Sequence, residues 1–527
     1  MAEFKPTASQ QAAIEMRGCP VLVSAGAGSG KTRVLTERLM AYITDANSPA
    51  DIDSFLIITY TRAAAGELRG RITEELNRRL SEDPRNARLR RQSALIRRAQ
   101  IGTIHSFCAD LLRENCQEAK LSPDFKILDE ERADAMRASC LDRVLEDAYA
   151  DLENTPDFQL LADTVGEGRD DSALADLILE LHTKMQCHAF PANWAKQQTA
   201  LLTAPAADAG DTPWGQELLS WIAHLAEHWS AELDALLTAM REYPPILAAY
   251  GEHYEGIAAQ VREITRSVPL GWDRVSALLP LAVPRLPPLK NSPDKEFSEF
   301  LKQRRTACLD AFKDAAKVFA SPSAELLRDM AATAPAMRAF LRLTLDFDKA
   351  YARDKQSRGL VDYSDLEHKA AALLMNADGT PTSLAKRLSM RYTEVMVDEY
   401  QDVSRVQDAI FSAVSDGGRR LFLVGDVKQS IYRFRLADPA IFNEKYKTYA
   451  EADSGARRIL LRENFRSRRE ILDAANFVFT NILSPEMGEM SYGSEEALHF
   501  GADAVYVGGT AASGTGHEGT VNITGGT

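Results

Sequence analysis

The sequence predicts an α/β protein, a parallel sheet of buried strands flanked by helices and interrupted by a large all-helical insertion. Two patterns and one number carry that expectation. Val21 to Val23, Phe55 to Ile58, Val395 to Val397 and Leu421 to Val424 are short apolar runs that end in polar or glycine-rich turns between helical stretches, as strands covered on both faces do. Between the second and third runs, Leu141, Val144, Leu145 and Ala148, then Leu174, Leu177, Ile178 and Leu181, recur at helical spacing and mark helix faces turned to a core. At 527 residues, with 45% apolar and 26% charged residues, the chain is long enough for roughly three domains and too apolar for disorder.

The first strand leads into Ala25-Gly26-Ala27-Gly28-Ser29-Gly30-Lys31-Thr32, which opens a helix through Val34, Leu35 and Leu39. Strand, glycine turn, Lys-Thr and helix together form a phosphate-binding loop. The glycines let backbone N–H groups turn inward, Lys31 places a charge at the β and γ phosphates, and the Thr32 hydroxyl is a ligand for Mg²⁺. Ala25 stands where the general pattern has its first glycine. The strand at 395–397 delivers Asp398 and Glu399. With a phosphate loop present, Asp398 is assigned to the metal and Glu399 to the attacking water. A nucleoside triphosphate and Mg²⁺ are therefore expected.

The insertion is expected to span 131–355. Pro280, Pro284, Pro287, Pro288 and Pro293 break its helical pattern and require an extended connection. All five tryptophans lie between Trp194 and Trp272. They are read as packing, with a base-stacking surface as the alternative. From Gly501 on, eight of 27 residues are Gly and five are Thr, the composition of a linker or terminus.

The six cysteines, Cys19, Cys108, Cys116, Cys140, Cys187 and Cys308, form no C-x-x-C pair, so no zinc site or disulfide framework is indicated. No secretory signal opens the chain, and no apolar run approaches the ~20 residues of a membrane helix. A cytoplasmic protein without membrane association is expected. The net charge of −14 argues against coating nucleic acid with the whole surface. From Arg69 to Arg98, however, ten arginines face four acids, read either as an extension of a backbone track or as a solvated helix face.

Thr7 to Gln10, T-Y-T-R-A-A-A at 59–65, G-T-I-H-S-F at 102–107, D-E-Y-Q-D at 398–402, G-D-V-K-Q-S-I-Y-R-F-R at 425–435 and L-R-E-N-F-R-S at 461–467 resemble, in order, the motifs of superfamily 1A helicases. D-Y-S-D-L-E at 362–367 and R-L-A-D-P after Phe434 are most similar to AddA-type helicase subunits of bacterial helicase-nucleases, with the UvrD, Rep and PcrA repair helicases close by. The resemblance implies two RecA-like lobes: residues 1–130 and 356–455 as the first, 131–355 as its insertion, 456–500 as the start of the second, and 501–527 as a tail.

It also implies roles. Gln10 reads the adenine edge, which makes the nucleotide ATP, although without the family Gln10 is an exposed helix residue. Gln429 senses the γ-phosphate, Phe465 stacks on adenine, and Arg466 reaches the γ-phosphate. Tyr60, His105, Tyr432 and Phe434 lie along a single-strand track where aromatic stacking contributes about 1–3 kcal/mol per base. Tyr60 reads equally well as a core aromatic. Thr59, Thr61 and Thr103, with Ser106, are candidates for phosphate contacts. The implied activity is an ATP-dependent 3′→5′ DNA translocase acting on single-stranded and duplex-end DNA in double-strand-break repair, beside an AddB-like nuclease subunit.

No second arginine motif or T-x-H-x-x-K-G-x-E type element follows Ser467. An arginine finger contributes about 10³–10⁵ in rate. The chain as given is therefore expected to bind nucleotide weakly and turn it over slowly. The competing readings are a DNA- or partner-binding module without motor activity and another phosphate-loop enzyme such as a nucleotide kinase.

Overall fold

In a computed structural model, residues 5–165, 172–289, 292–431, 437–484 and 490–501 are described. Ten strands occur among them: β1 Val21–Ala25, β2 Phe55–Ile58, β3 Gln100–Gly102, β4 Lys126–Ile127, β5 Leu360–Val361, β6 Glu394–Val397, β7 Leu421–Gly425, β8 Arg457–Leu461, β9 Glu463–Asn464 and β10 His499–Phe500. Six form one parallel sheet in the order β3-β2-β6-β7-β1-β8.

All four apolar runs are strands of this sheet, and β2, β6 and β7 are buried along their whole length. The alternation of β-sheet side chains splits the core in two. Leu22, Leu56, Val395 and Leu423 pack on one face with the helices 104–114, 363–374 and 405–414. Val21, Val23, Ile57, Met396 and Val424 pack on the other with the helices 31–43 and 62–82. This is the expected α/β class, and both sheet edges were invisible in the apolar pattern. β3 has only three residues, and β8 reads exposed, half-buried, buried, half-buried, buried, so neither produces a continuous apolar run.

The chain divides into two compact units, one of residues 1–138, 183–191 and 351–527, the other of 139–182 and 192–350. The expected block 131–355 is thus interrupted. Its two boundaries fall inside the helices Glu130–Ala150 and Ser323–Ser357, where no loop residue marks them. The stretch 183–191 is held in the first unit by its backbone, since Val406 N–H donates to Cys187 O at 3.1 Å and His368 Nε2 lies 3.0 Å from His188 O. Strand β8, expected to open a second lobe at 456, is hydrogen-bonded to β1 from Val21↔Arg457 to Ala25↔Leu461. The first sheet therefore runs through Leu461.

Where the chain leaves for the insertion and where it returns, β4 and β5 pair in parallel, Lys126 with Leu360 and Ile127 with Val361. Just before β5, buried Lys355 lies 2.8 Å from Asp362 and 2.6 Å from Asp365. Asp362 and Asp365 form the capping box of helix 363–374, so the pair fixes the helix start to the returning chain.

In the second unit, helices 213–240, 244–267 and 295–318 enclose a core of Ile222, Trp229, Tyr254, Ile257, Trp272 and Phe312. Of the predicted stripes, Leu141, Leu145, Leu174 and Ile178 are buried, whereas Leu177 is 40% exposed. Trp272 is 1% exposed, donates Nε1–H to Ser321 O and packs edge-on to Trp214, as the packing reading requires, and Trp229 is buried too, whereas Trp221 is 41% exposed and departs from it. The proline-rich connection is non-helical, anchored by reciprocal bonds between Gln260 and Ala282. All six cysteines are free, and no described helix is long and apolar enough to cross a membrane.

Candidate nucleotide site

The C-terminal ends of β1, β6 and β7 converge on one site. The turn after β1 depends on its glycines. Gly28 (φ +70°) and Gly30 (φ +84°) are left-handed, a conformation that costs a residue with a Cβ about 1–2 kcal/mol. Space is short as well, since a Cβ on Gly28 would stand 2.8 Å from both Asn464 Nδ2 and Arg466 Cβ. Gly30 is the N-cap of helix 31–43 and supplies no side-chain cap. No cap side chain therefore competes for the first-turn N–H groups at the positive end of the helix, an anion site.

Lys31 Nζ lies 3.0 Å from Glu399 Oε2, 368 positions away, and 3.5 Å from Gln429 Oε1. Glu399 adopts φ +50°, a left-handed non-glycine conformation that concentrates at functional sites. Asp398 N–H donates to Ile58 O at 2.9 Å, and its own Oδ1 accepts Glu399 N–H at 3.0 Å. Burial, reinforced by the neighbouring Glu399 charge, pushes Asp398 up to about 6. Two adjacent carboxylates in such surroundings suit a cation. Ser29 Oγ in the glycine turn and Asp402 Oδ1 beyond β6 are buried without a hydrogen-bond partner, so the cradle holds polar atoms that a bound ion or ligand would satisfy. The residues present therefore fit a magnesium triphosphate, with Thr32 and Asp398 as the candidate metal ligands and Lys31 with the turn as the phosphate cradle.

Gln429 Nε2 donates to Asp426 Oδ2 at 2.8 Å. Gln401, which the spacing argument did not single out, joins the two acidic turns. Its Nε2 donates to Glu399 Oε2 at 2.9 Å, and its Oε1 accepts Asp426 N–H at 3.0 Å. Asn464 is the other residue missed. Its Nδ2 donates to Ala27 O at 2.6 Å, and its Oδ1 accepts from Arg466 N and Ser467 N, both at 2.8 Å. Phe465 N–H donates to Gly28 O at 3.0 Å. Phe465 and Arg466 are thereby fastened over the glycine turn. The only sequence signal for Asn464 was its place inside the 461–467 motif.

Gln10 is 2% exposed, which removes its reading as an exposed helix residue. Its Nε2 donates to Ser29 O at 2.9 Å, and its Oε1 accepts Thr7 N–H at 2.9 Å, leaving one N–H and one lone pair for a ligand. Ala25 is fully buried as the last residue of β1, and Gly26 N–H donates to Leu461 O at 3.2 Å.

The hydroxyls expected on phosphates are engaged locally. Thr59 Oγ1 donates to Thr61 O, while Thr61 and Thr103 cap the helices 62–82 and 104–114. His105 Nε2 is 3.0 Å from buried Glu367, and its ring lies 4.9 Å from that of exposed Tyr363. Tyr60 is half-buried. Tyr432 and Phe434 fall outside the described residues, as does nearly all of the tail.

Seven of the ten arginines between 69 and 98 have partners within the chain, although Arg71, Arg78, Arg90 and Arg91 are exposed. Arg69, Arg88 and Arg90 bind backbone carbonyls, and Arg71, Arg78, Arg79 and Arg91 bind carboxylates. The stretch is therefore largely a solvated helix face laced with ion pairs; charge counting alone could not see those partners.

Residues 7–450 match the family described as UvrD/REP helicase N-terminal domain. The chain is 38% identical over 512 residues to the A-subunit of the ATP-dependent helicase/nuclease of Acetivibrio thermocellus, an overlap of 94% of this chain and 41% of that protein. It is 39% identical over 509 residues to the protein of the same name from Desulforudis audaxviator, covering 93% and 41%. Its likeness to that of Moorella thermoacetica is 37% over 512 residues, covering 93% and 36%. The chain therefore spans about 41% of the length of the first two relatives.

Proposed function

Because this chain belongs to the UvrD/REP helicase N-terminal domain family, we propose that it is the nucleotide-binding motor lobe of an ATP-dependent DNA helicase subunit. The observation that carries the reading is the meeting of Lys31, Glu399 and Gln429 within 3.5 Å. Lys31 and the uncapped helix start bind the triphosphate. Glu399, oriented by Gln401, is placed to take a proton from the attacking water, and Gln429 links the γ-phosphate to the turn at 425–431. Thr32 and Asp398 would hold Mg²⁺, which supplies charge neutralisation at the phosphates. Gln10 and Phe465 would hold the base, and Arg466 would reach the γ-phosphate. The relatives' name, which makes each of them one subunit of a helicase/nuclease, supports a partner subunit of AddB type, DNA as substrate, and work in double-strand-break repair. Polarity of 3′→5′ and a second lobe beginning after Leu461 belong to the same reading.

ATP hydrolysis stimulated by single-stranded DNA, and abolished by Lys31→Ala and by Glu399→Gln, is the expected result in a form carrying both lobes. Turnover indifferent to DNA would overturn the proposal.

A further inference from the structure

Along the outer edge of the sheet, beside β3, runs a cleft of about 630 Å³. It begins at Thr103 and Ser106, at the C-terminal end of β3, and reaches Asp53 and Arg391, at the opposite ends of β2 and β6. Arg97 and Arg98 line it, and Arg391 joins them from far along the sequence. All three are exposed, and their guanidinium groups make no hydrogen bond or ion pair among the described residues. In a chain of net charge −14, whose neighbouring arginines are almost all bound, three guanidinium groups on one cleft, of which that of Arg391 lies 5.7 Å from the Tyr392 ring, call for an external anion.

From this we infer that the cleft binds the sugar-phosphate backbone of single-stranded nucleic acid as it leaves the central track at Thr103. The inference rests on the helicase reading above. Guanidinium forks match phosphate oxygens and carry no base preference. An extended peptide added to β3 fits less well, because Arg69 already donates to the carbonyls of Ile96, Ala99 and Ile101 along this edge, and a pairing strand would need free acceptors. The cleft also holds Asp53, Asp110 and Glu114, of which Asp110 lies 3.4 Å from Arg113. The positive excess is small, so the contact is short-range, a matter of three phosphates rather than a long-range field.

The test uses the full chain and fluorescence anisotropy with oligothymidylates of about 8 and about 20 nucleotides, one within and one beyond the reach of a single site. Wild type binds the longer oligomer more tightly. In Arg97→Gln/Arg98→Gln/Arg391→Gln that gain disappears, about tenfold at low salt, and the salt slope for the long oligomer falls by about 2 (roughly 0.7 per phosphate on a single strand). Binding of the short oligomer stays the same. Equal affinity of variant and wild type for the long oligomer would overturn the inference, as would equal losses on both oligomers or tighter capture of poly-glutamate than of DNA. Arg391→Gln alone, on a separate element, must give about a third of the change in slope, which guards against misfolding of the triple variant. If wild type binds DNA in a nucleotide-dependent manner with no effect of length, this inference fails and the motor reading survives. If it binds neither oligomer, both fail.

Discussion

Asn464 Nδ2 donates to Ala27 O at 2.6 Å, so a buried side-chain amide ties the chain that leaves the first sheet to the phosphate loop, beside the backbone bond from Phe465 N–H to Gly28 O. Removing that amide frees a carbonyl in the glycine turn and takes the acceptor from the N–H groups of Arg466 and Ser467. Asn464→Ala is expected to cost about 1–3 kcal/mol of stability and to raise the dissociation constant of a fluorescent ATP analogue about tenfold, roughly 1.4 kcal/mol. Unchanged binding would show that the turn holds its shape unaided.

Glycine substitutions separate backbone strain from crowding. Gly18 and Gly28 are both left-handed, at φ +76° and +70°. A Cβ on Gly18 meets nothing within 4 Å, whereas one on Gly28 meets Asn464 and Arg466 at 2.8 Å. Gly18→Ala should cost only about 1–2 kcal/mol of backbone strain in thermal melting. Gly28→Ala should lose more and should also abolish binding of the ATP analogue.

Glu75 offers a pH signature. Burial works to raise its carboxyl, but hydrogen bonds from Arg78 and Arg79 outweigh it and hold the group at about 2, below its usual 4.5. A depressed carboxylate stabilises the fold above its unfolded value, and that contribution fades as pH falls from about 4.5 towards 2. Glu75→Gln should therefore be less stable than wild type at pH 7, by less than the full shift because Arg78 is half exposed to screening solvent, with the gap in denaturant midpoint narrowing as the pH is lowered to 3.

Arg38 is fully buried, its Nε 2.8 Å from Glu394 Oε2 and its guanidinium carbon 4.2 Å from the ring centroid of Phe422. Glu394→Ala strands that charge beneath the sheet and should cost about 3–5 kcal/mol by chemical denaturation. Arg38→Met/Glu394→Leu removes both charges and should recover most of the loss. A double variant as unstable as the single one would contradict this account.

The sequence made the nucleotide site legible because a phosphate loop is contiguous. Ala25 to Thr32 must be adjacent to form the turn, and Asp398 and Glu399 must follow a buried strand. Gln401 and Asn464 were hidden because their roles are to bridge turns that only the folded sheet brings together. The arginines failed as a group for a related reason: Arg79 and Arg98 look alike in a composition count, but one meets Glu37 and Glu75 while the other faces an open cleft. β8 was missed because an edge strand with an exposed start carries no unbroken apolar run. The boundary at 131–355 was misdrawn because helices 130–150 and 323–357 continue through it.

The pairing of β4 with β5 has a further consequence. Because the departing and returning chain are stapled in register, the more than two hundred residues between them form a loop closed at its neck and pinned once more where 183–191 is bonded into the first unit. The entropic cost of such closure grows only with the logarithm of loop length, about 0.6 kcal/mol per doubling. The stretches on either side of 183–191 are in this sense cassettes, which descent is free to lengthen or trim while the glycine cradle keeps its registration.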